Sequence, residues 1–165
     1  MRTVICPGSF DPVTLGHLDI ITRSSKMFDR VIVLVMTNYK KKDSYSFSSA
    51  ERVELIKRCT HSLENVEVDS YDGLLAEYAR KIGAVAIVKG LRAVSDFEYE
   101  FQQALINKEL NNEVETVFIT TRAENMYLSS SVVKHICSLG GDISNFVPPE
   151  ISDVIIERIR KEDVK

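Results

Sequence analysis

Short apolar runs alternate along this chain with longer stretches of helical period. Runs rich in Val and Ile occur at residues 4–6, 31–36, 66–68, 85–88 and 116–120. Their near-continuous apolar character is that of strands buried on both faces. Between and after them, apolar positions recur every three or four residues at 17–28, 49–59, 74–82, 97–110, 132–139 and 150–161, which predicts helices there. Several ends are legible. Ser48 with Glu51, and Ser95 with Glu98, have the spacing of capping boxes. Gly83 stands where a helix ending at Ile82 calls for a left-handed residue, Gly140 and Gly141 close the helix before them, and Pro148 and Pro149 open the last one. Five strands with intervening helices predict an α/β fold, a five-stranded parallel sheet with helices on both faces. No internal repeat, low-complexity tract or linker interrupts the pattern, so residues 1–165 read as a single domain.

In such a sheet ligands gather beyond the carboxyl ends of the strands, where connections leave for opposite faces. The loops at that rim are 7–16, 37–47, 69–73, 89–95 and 121–131. The first carries Gly8 and Gly16 and leads to His17; the second carries Lys40, Lys41 and Lys42. The fourth carries Lys89 and Arg92, and the last carries Ser129, Ser130 and Ser131. The chain as a whole has 21 basic and 24 acidic residues and a formal net charge of -3, so the basic rim is a local feature. That balance gives no electrostatic reason to expect nucleic acid or a membrane as partner. Cys6, Cys59 and Cys137 lack metal-ligand spacing and sit in apolar or helical contexts, which favours a reducing compartment and no zinc. The apolar stretch at the start is too short for a signal peptide and no run approaches a membrane span, so the expectation is a soluble intracellular protein.

Residues 7–17 carry the strongest chemical signal. A strand, a glycine-containing turn and a helix N-terminus make an anion cradle, in which unpaired N–H groups and the positive end of the helix dipole converge. Gly8 and Gly16 lack the Cβ that would hold off a phosphate or a packed backbone, and His17 stands at the mouth. No nucleophile elbow and no Gly-x4-Gly-Lys-Ser/Thr loop is present. Electrostatic catalysis remains. A phosphate monoester has a second pKa of about 6, so as a nucleophile it is largely ionised at neutral pH and needs no protein base. The protein then has to align two phosphates and stabilise charge, with His17 donating to the attacked phosphorus centre and Lys or Arg holding the outer phosphates. Each feature also has a plainer reading. Thr14 to His17 alone could be a structural turn, the three lysines a solvated loop, and Ser129 to Ser131 a cap for the helix at 132. Glu100 could simply face water, His61 and His135 belong to surface or structure, and Asp11 with Pro12 serves turn geometry.

Three blocks carry a resemblance. They are Pro7-Gly8-Ser9-Phe10-Asp11-Pro12 with Thr14-Leu15-Gly16-His17, then Gly90-Leu91-Arg92-Ala93 with Asp96-Phe97-Glu98-Tyr99-Glu100, then Ser129-Ser130-Ser131. Together they resemble the bacterial phosphopantetheine adenylyltransferases, in register over nearly the whole chain. The Gly-His motif alone marks the wider nucleotidylyltransferase superfamily; the block at 90–100 is far more specific. The resemblance implies a Rossmann-like doubly wound domain, a cytoplasmic homohexamer, and reversible transfer of AMP from ATP to 4'-phosphopantetheine. The products would be dephospho-CoA and pyrophosphate, in the penultimate step of coenzyme A synthesis, with coenzyme A as a feedback inhibitor. It further implies that His17 stabilises the pentacoordinate α-phosphorus, and that Ser9 and Phe10 contact nucleotide through the turn, Ser9 also touching pantetheine. Gly90, Leu91, Arg92 and Glu100, with Asn125, Met126, Tyr127, Leu128, Ser129, Ser130 and Ser131, would surround ATP. Lys41 and Lys89 would hold the phosphate of phosphopantetheine, Leu75 would pack by its arm, and Mg2+ would arrive with ATP, no dedicated protein metal cage being found.

The chain departs from that family at three places. Lys89 stands where arginine is common, which replaces a bidentate grip by a point charge. The loop 39–46 is longer than usual, and Lys40 and Lys42 compete with Lys41 for the substrate phosphate. Asn125 stands where an aromatic residue is frequent, so stacking from that side chain is absent. Two rival readings carry other expectations. Another nucleotidylyltransferase, acting on nicotinamide mononucleotide or a polyol phosphate, is disfavoured by the block at 90–100. A nucleotide sensor without catalysis would explain the glycines but not His17 together with the rim lysines.

Overall fold

The apolar runs become the strands of one parallel sheet in the computed structural model, which describes residues 1–37 and 44–162. Among these residues the strands are β1 (Thr3–Gly8), β2 (Arg30–Met36), β3 (Val66–Tyr71), β4 (Ala86–Leu91) and β5 (Glu115–Thr120). Their order is β3-β2-β1-β4-β5 and every pairing is parallel. The central β1 and β2 are buried on both faces and read as continuous apolar runs, whereas the edge strand β3 alternates half-buried and exposed positions. The chain builds outward from β1 to β3 and then returns to add β4 and β5 on the other side. The order reverses between β1 and β4, and their carboxyl ends diverge there into a crevice.

Each face is covered as the pattern predicts. On one, α1 (Leu15–Met27), α2 (Ser49–Thr60), α5 (Ser130–Ser138) and α6 (Ser152–Glu162) pack on Val4, Cys6, Val31, Val33, Val35 and Val88. On the other, Tyr78 and Ala79 of α3 (Leu75–Ile82) pack on Ile5, Ile32, Leu34 and Ile87. The remaining α-helix, α4 (Val94–Leu110), touches α3, β4 and β5 but buries none of its residues; Phe97, Phe101, Leu105, Ile106 and Leu110 remain exposed. The fold is a Rossmann-like doubly wound sheet. No helix among the described residues is long and apolar enough to cross a membrane, and all three cysteines are buried thiols.

Boundaries shift where hydrogen bonding outruns hydropathy. β1 extends through Pro7 and Gly8, and β4 continues through Lys89, Gly90 and Leu91 by pairing with Phe118, Ile119 and Thr120 of β5. Those three residues therefore stand on a strand and not in a loop. A Cβ on Gly90 would lie 3.0 Å from the Ile20 side chain, so the glycine lets α1 approach the strand end closely. The capping box at Ser48 forms, with Glu51 accepting from the Ser48 N–H at 2.8 Å. The one expected at Ser95 does not, because α4 starts earlier, at Val94, after Ala93. Gly83 takes the left-handed conformation expected of it, with φ 64°.

Asp11 does more than shape a turn. It is buried, and its carboxylate accepts from the Ser46 and Phe47 N–H groups, both at 3.0 Å, and from Lys134 Nζ at 2.8 Å. It thereby ties the end of β1 to the start of α2 and to α5. Asp11→Ala strands two N–H groups and an ammonium, so it is expected to destabilise the protein by about 3 kcal/mol in urea denaturation. A loss under about 1 kcal/mol would mean that these contacts are dispensable.

Candidate active site

The mouth of the crevice is organised by the first turn of α1. Thr14 caps the helix, its Oγ1 accepting from the His17 N–H at 3.4 Å, while His17 Nδ1 accepts from the Thr14 N–H at 3.0 Å. This is a capping box with histidine in the place usually taken by Glu or Gln. Because Nδ1 is the acceptor, the neutral ring carries its proton on Nε2. The Phe10 ring meets the imidazole edge-on, with centroids 5.1 Å apart. Burial, then the positive charges of Arg92 and Lys89, push the His17 pKa down to about 4. At neutral pH the side chain is an uncharged N–H donor on the cavity wall.

The two glycines of the cradle serve different ends. A Cβ on Gly8 would lie 2.9 Å from the Phe10 ring, which sits on a left-handed backbone at φ 50°. Gly8 thus makes room for a packed side chain and not directly for a phosphate. At Gly16 a Cβ would meet nothing nearer than 3.6 Å, so that glycine only leaves the wall beside Asn125 open.

Two cavities occupy the crevice. The first, of about 260 Å³, is lined by His17, Arg92, Asn125, Ser129 and Ser130, and by Phe10, Gly90 and Leu128. The second, of about 440 Å³, has an apolar wall that includes Met36, Leu74, Leu75, Ile106 and Leu110, and it reaches Ser9. Pro7, Gly8, Lys89 and Glu100 line both, so the cavities adjoin at those residues. Lys89 Nζ lies 3.2 Å from Glu100. Arg92 donates to the Leu128 carbonyl at 2.5 Å and pairs with Asp96 at 3.3 Å. Ser129 caps α5 by accepting from the Val132 N–H, and Ser130 donates to the Pro12 carbonyl at 2.7 Å.

Most of the residues singled out in the sequence converge here. Leu91, Met126, Tyr127 and Ser131 line neither cavity; Met126, Tyr127 and Ser131 are exposed. Lys40, Lys41 and Lys42 lie outside the described residues. Two supporting roles went unnoticed in the sequence, that of Asp96, named there only within its block, and that of Arg52. Asp96 lies four residues after Arg92, spacing that already signals an ion pair. Arg52, on the apolar face of α2 with Leu55, Ile56 and Cys59, is buried and donates to the Ser9 carbonyl at 2.7 Å. A charge at core spacing was its signal. Its guanidinium also lies 4.2 Å from the ring centre of Tyr45, whose hydroxyl is 3.2 Å from Ser9 Oγ.

Comparison with known proteins agrees with this geometry. The Cytidylyltransferase-like family model matches residues 5–136. A phosphopantetheine adenylyltransferase from Caldanaerobacter subterraneus is 54% identical, over 98% of this chain and 99% of its own. Another, from Clostridium beijerinckii, is 55% identical over 96% and 99%. The chain belongs to the phosphopantetheine adenylyltransferase family. Among solved structures, a candidate nicotinate-nucleotide adenylyltransferase from Vibrio parahaemolyticus shares the fold, with a TM-score of 0.68 at 19% identity, covering 94% of this chain and 99% of that one. The nucleotidyltransferase class of this family accords with an anion cradle whose single imidazole is held neutral.

The unfolded chain takes up a proton on His17 as the pH falls through about 6.5, whereas the folded chain does so only at about 4. The residue's contribution to stability is therefore complete above pH ~6.5 and is lost as the pH falls from there towards 4. Histidine NMR is expected to show His17 titrating near 4 with Nδ1 unprotonated at neutral pH. His17→Gln, which keeps an acceptor for the cap, should flatten the stability profile across that window. Titration of the folded protein near 6.5 would refute the assignment.

Proposed function

We propose that this member of the family transfers AMP reversibly from ATP to 4'-phosphopantetheine, giving dephospho-CoA and pyrophosphate. The observation that carries the reading is the meeting of two unlike cavities at Lys89. One presents an uncharged N–H donor and a guanidinium; the other offers an apolar wall with an ammonium where it adjoins the first. A nucleotide suits the first, and a phosphate ester with a long, weakly polar arm suits the second.

In this reading a phosphate oxygen of 4'-phosphopantetheine attacks the α-phosphorus of ATP. A new P–O–P link forms, the bond between the α-phosphorus and its bridging oxygen to the β-phosphorus breaks, and pyrophosphate leaves with the electron pair. The attacking monoester is already largely ionised at neutral pH, so no side chain has to remove a proton. His17 Nε2–H donates to an oxygen on the α-phosphorus as charge builds in the pentacoordinate transition state, and its neutrality spares it from holding ground-state phosphate as an ion pair. Arg92 and the N-terminus of α5 at Ser129 and Ser130 face the leaving phosphates. The carboxylates on the nucleotide cavity wall, Asp96 and Glu100, are paired with Arg92 and Lys89, and no cluster among the described residues has the donor set for a metal. In this reading Mg2+ would enter as the ATP complex, where it would neutralise phosphate charge.

The same reading extends to a cytoplasmic homohexamer inhibited by coenzyme A. The exposed apolar residues of α4 support self-association, and a second cavity that accepts pantetheine would also accept the larger product family.

Pyrophosphate release with ATP and Mg2+ is expected with 4'-phosphopantetheine and not with nicotinamide mononucleotide or without acceptor, with dephospho-CoA identified by mass. His17→Ala should lower kcat on the order of several hundredfold, the scale of one preorganised donor, while leaving the Kd for ATP within a few fold. Equal losses in binding and rate would argue against a transition-state role.

A further inference from the structure

The two cavities meet at an ion pair whose members face both. Lys89, in the carboxyl-terminal half of β4, and Glu100, on α4, lie 3.2 Å apart with side chains only 28% and 18% exposed. Each lines the first cavity and the second. A phosphate dianion entering the second cavity thus meets an ammonium already neutralised, beside a carboxylate that repels it. A lysine is a point charge on a flexible stem, and it can move from one anion to another where an arginine fork would span both. When it moves, Glu100 stays in the nucleotide cavity wall as an acceptor-only group without its cation, an unfavourable state in partly buried surroundings. The donors a nucleotide can offer there are ribose hydroxyls and the exocyclic amine of the base.

Resting on the adenylyl-transfer reading, we infer that the Lys89–Glu100 pair is a charge exchange between the two substrate sites. The acceptor phosphate takes Lys89, the nucleotide takes the released Glu100, and each substrate thereby strengthens binding of the other. The same carboxylate opposes phosphopantetheine when it binds alone and assists the nucleotide once phosphopantetheine is in place.

Isothermal titration with 4'-phosphopantetheine and with the Mg2+ complex of α,β-methylene-ATP, singly and together, tests this. In the unaltered protein phosphopantetheine should tighten the analogue on the order of fivefold to tenfold, and the analogue should tighten phosphopantetheine by the same factor. Glu100→Gln should bind phosphopantetheine alone several fold more tightly, bind the analogue more weakly in its presence, and reduce the coupling factor to near one. Most of that gain should vanish in the Lys89→Gln background, closing a double-mutant cycle on the pair. A merely structural Glu100 would weaken both ligands together and lower Tm; that result, or full coupling retained in Glu100→Gln, would overturn the exchange. Turnover of the same preparation separates the two readings. Dephospho-CoA formed without coupling sinks the exchange alone, whereas no dephospho-CoA from the unaltered protein sinks the reaction reading.

Discussion

The hydrogen bond from the Thr14 N–H to His17 Nδ1 constrains more of the site than any other contact. It satisfies an orphan donor at the start of α1, so the helix gains an end. It also fixes which imidazole nitrogen bears the proton, so the helix gains a function. A glutamate in that position would cap equally well but would place a negative charge in an anion cavity. Histidine at this position of the box closes the helix without that charge, and burial beside Arg92 and Lys89 keeps the ring neutral. The two cations of the cavity wall thereby add to burial in holding the neighbouring donor uncharged.

What surrounds that bond keeps it in place. The Phe10 ring lies against the imidazole on one side and over Gly8 on another, which is why neither a side chain at Gly8 nor a relaxed backbone at Phe10 fits. Behind the ring, Asp11 collects two N–H groups and Lys134, and Arg52 reaches the Ser9 carbonyl from α2. The cradle is therefore tied to two helices beyond the one it leads into. Gly90 completes the arrangement by letting Ile20 approach β4, which draws the first turn of α1 and the end of that strand to the same cavity.

The sheet was legible because strands buried on both faces leave continuous Val and Ile runs, and the site's location follows from parallel topology alone. The individual roles were less so. Hydropathy ends β4 at Val88, but backbone pairing continues for three more residues, which moves Lys89 from a loop onto a strand. The box at Thr14 was missed because the familiar signature ends in Glu or Gln, and the one at Ser95 was expected because it does. Asp11 beside Pro12 has the local signature of a turn, and nothing local tells that its partners lie 35, 36 and 123 residues away. The pairing of Lys89 with Glu100 is likewise a product of tertiary packing, since one residue stands on β4 and the other on α4.

Charge on the rim follows one rule with different consequences. Arg92 sits with Asp96, Lys134 with Asp11, Arg122 with Asp19, and Lys89 with Glu100. Pairing lets a chain of net charge -3 hold cations in a partly buried crevice without stranding them, but it also lowers the field that an incoming phosphate feels. Arg92 softens this conflict, because a guanidinium has five donors and can hold Asp96 and the Leu128 carbonyl with others to spare. Lys134 never faces it, being bound to Asp11 and the Ser44 carbonyl and lining neither cavity. Lys89 alone among the four combines a compact charge, a half-buried carboxylate partner and a place in both cavity walls. In the proposed exchange a lysine at that position would trade one anion for another, whereas an arginine fork there would hold both at once.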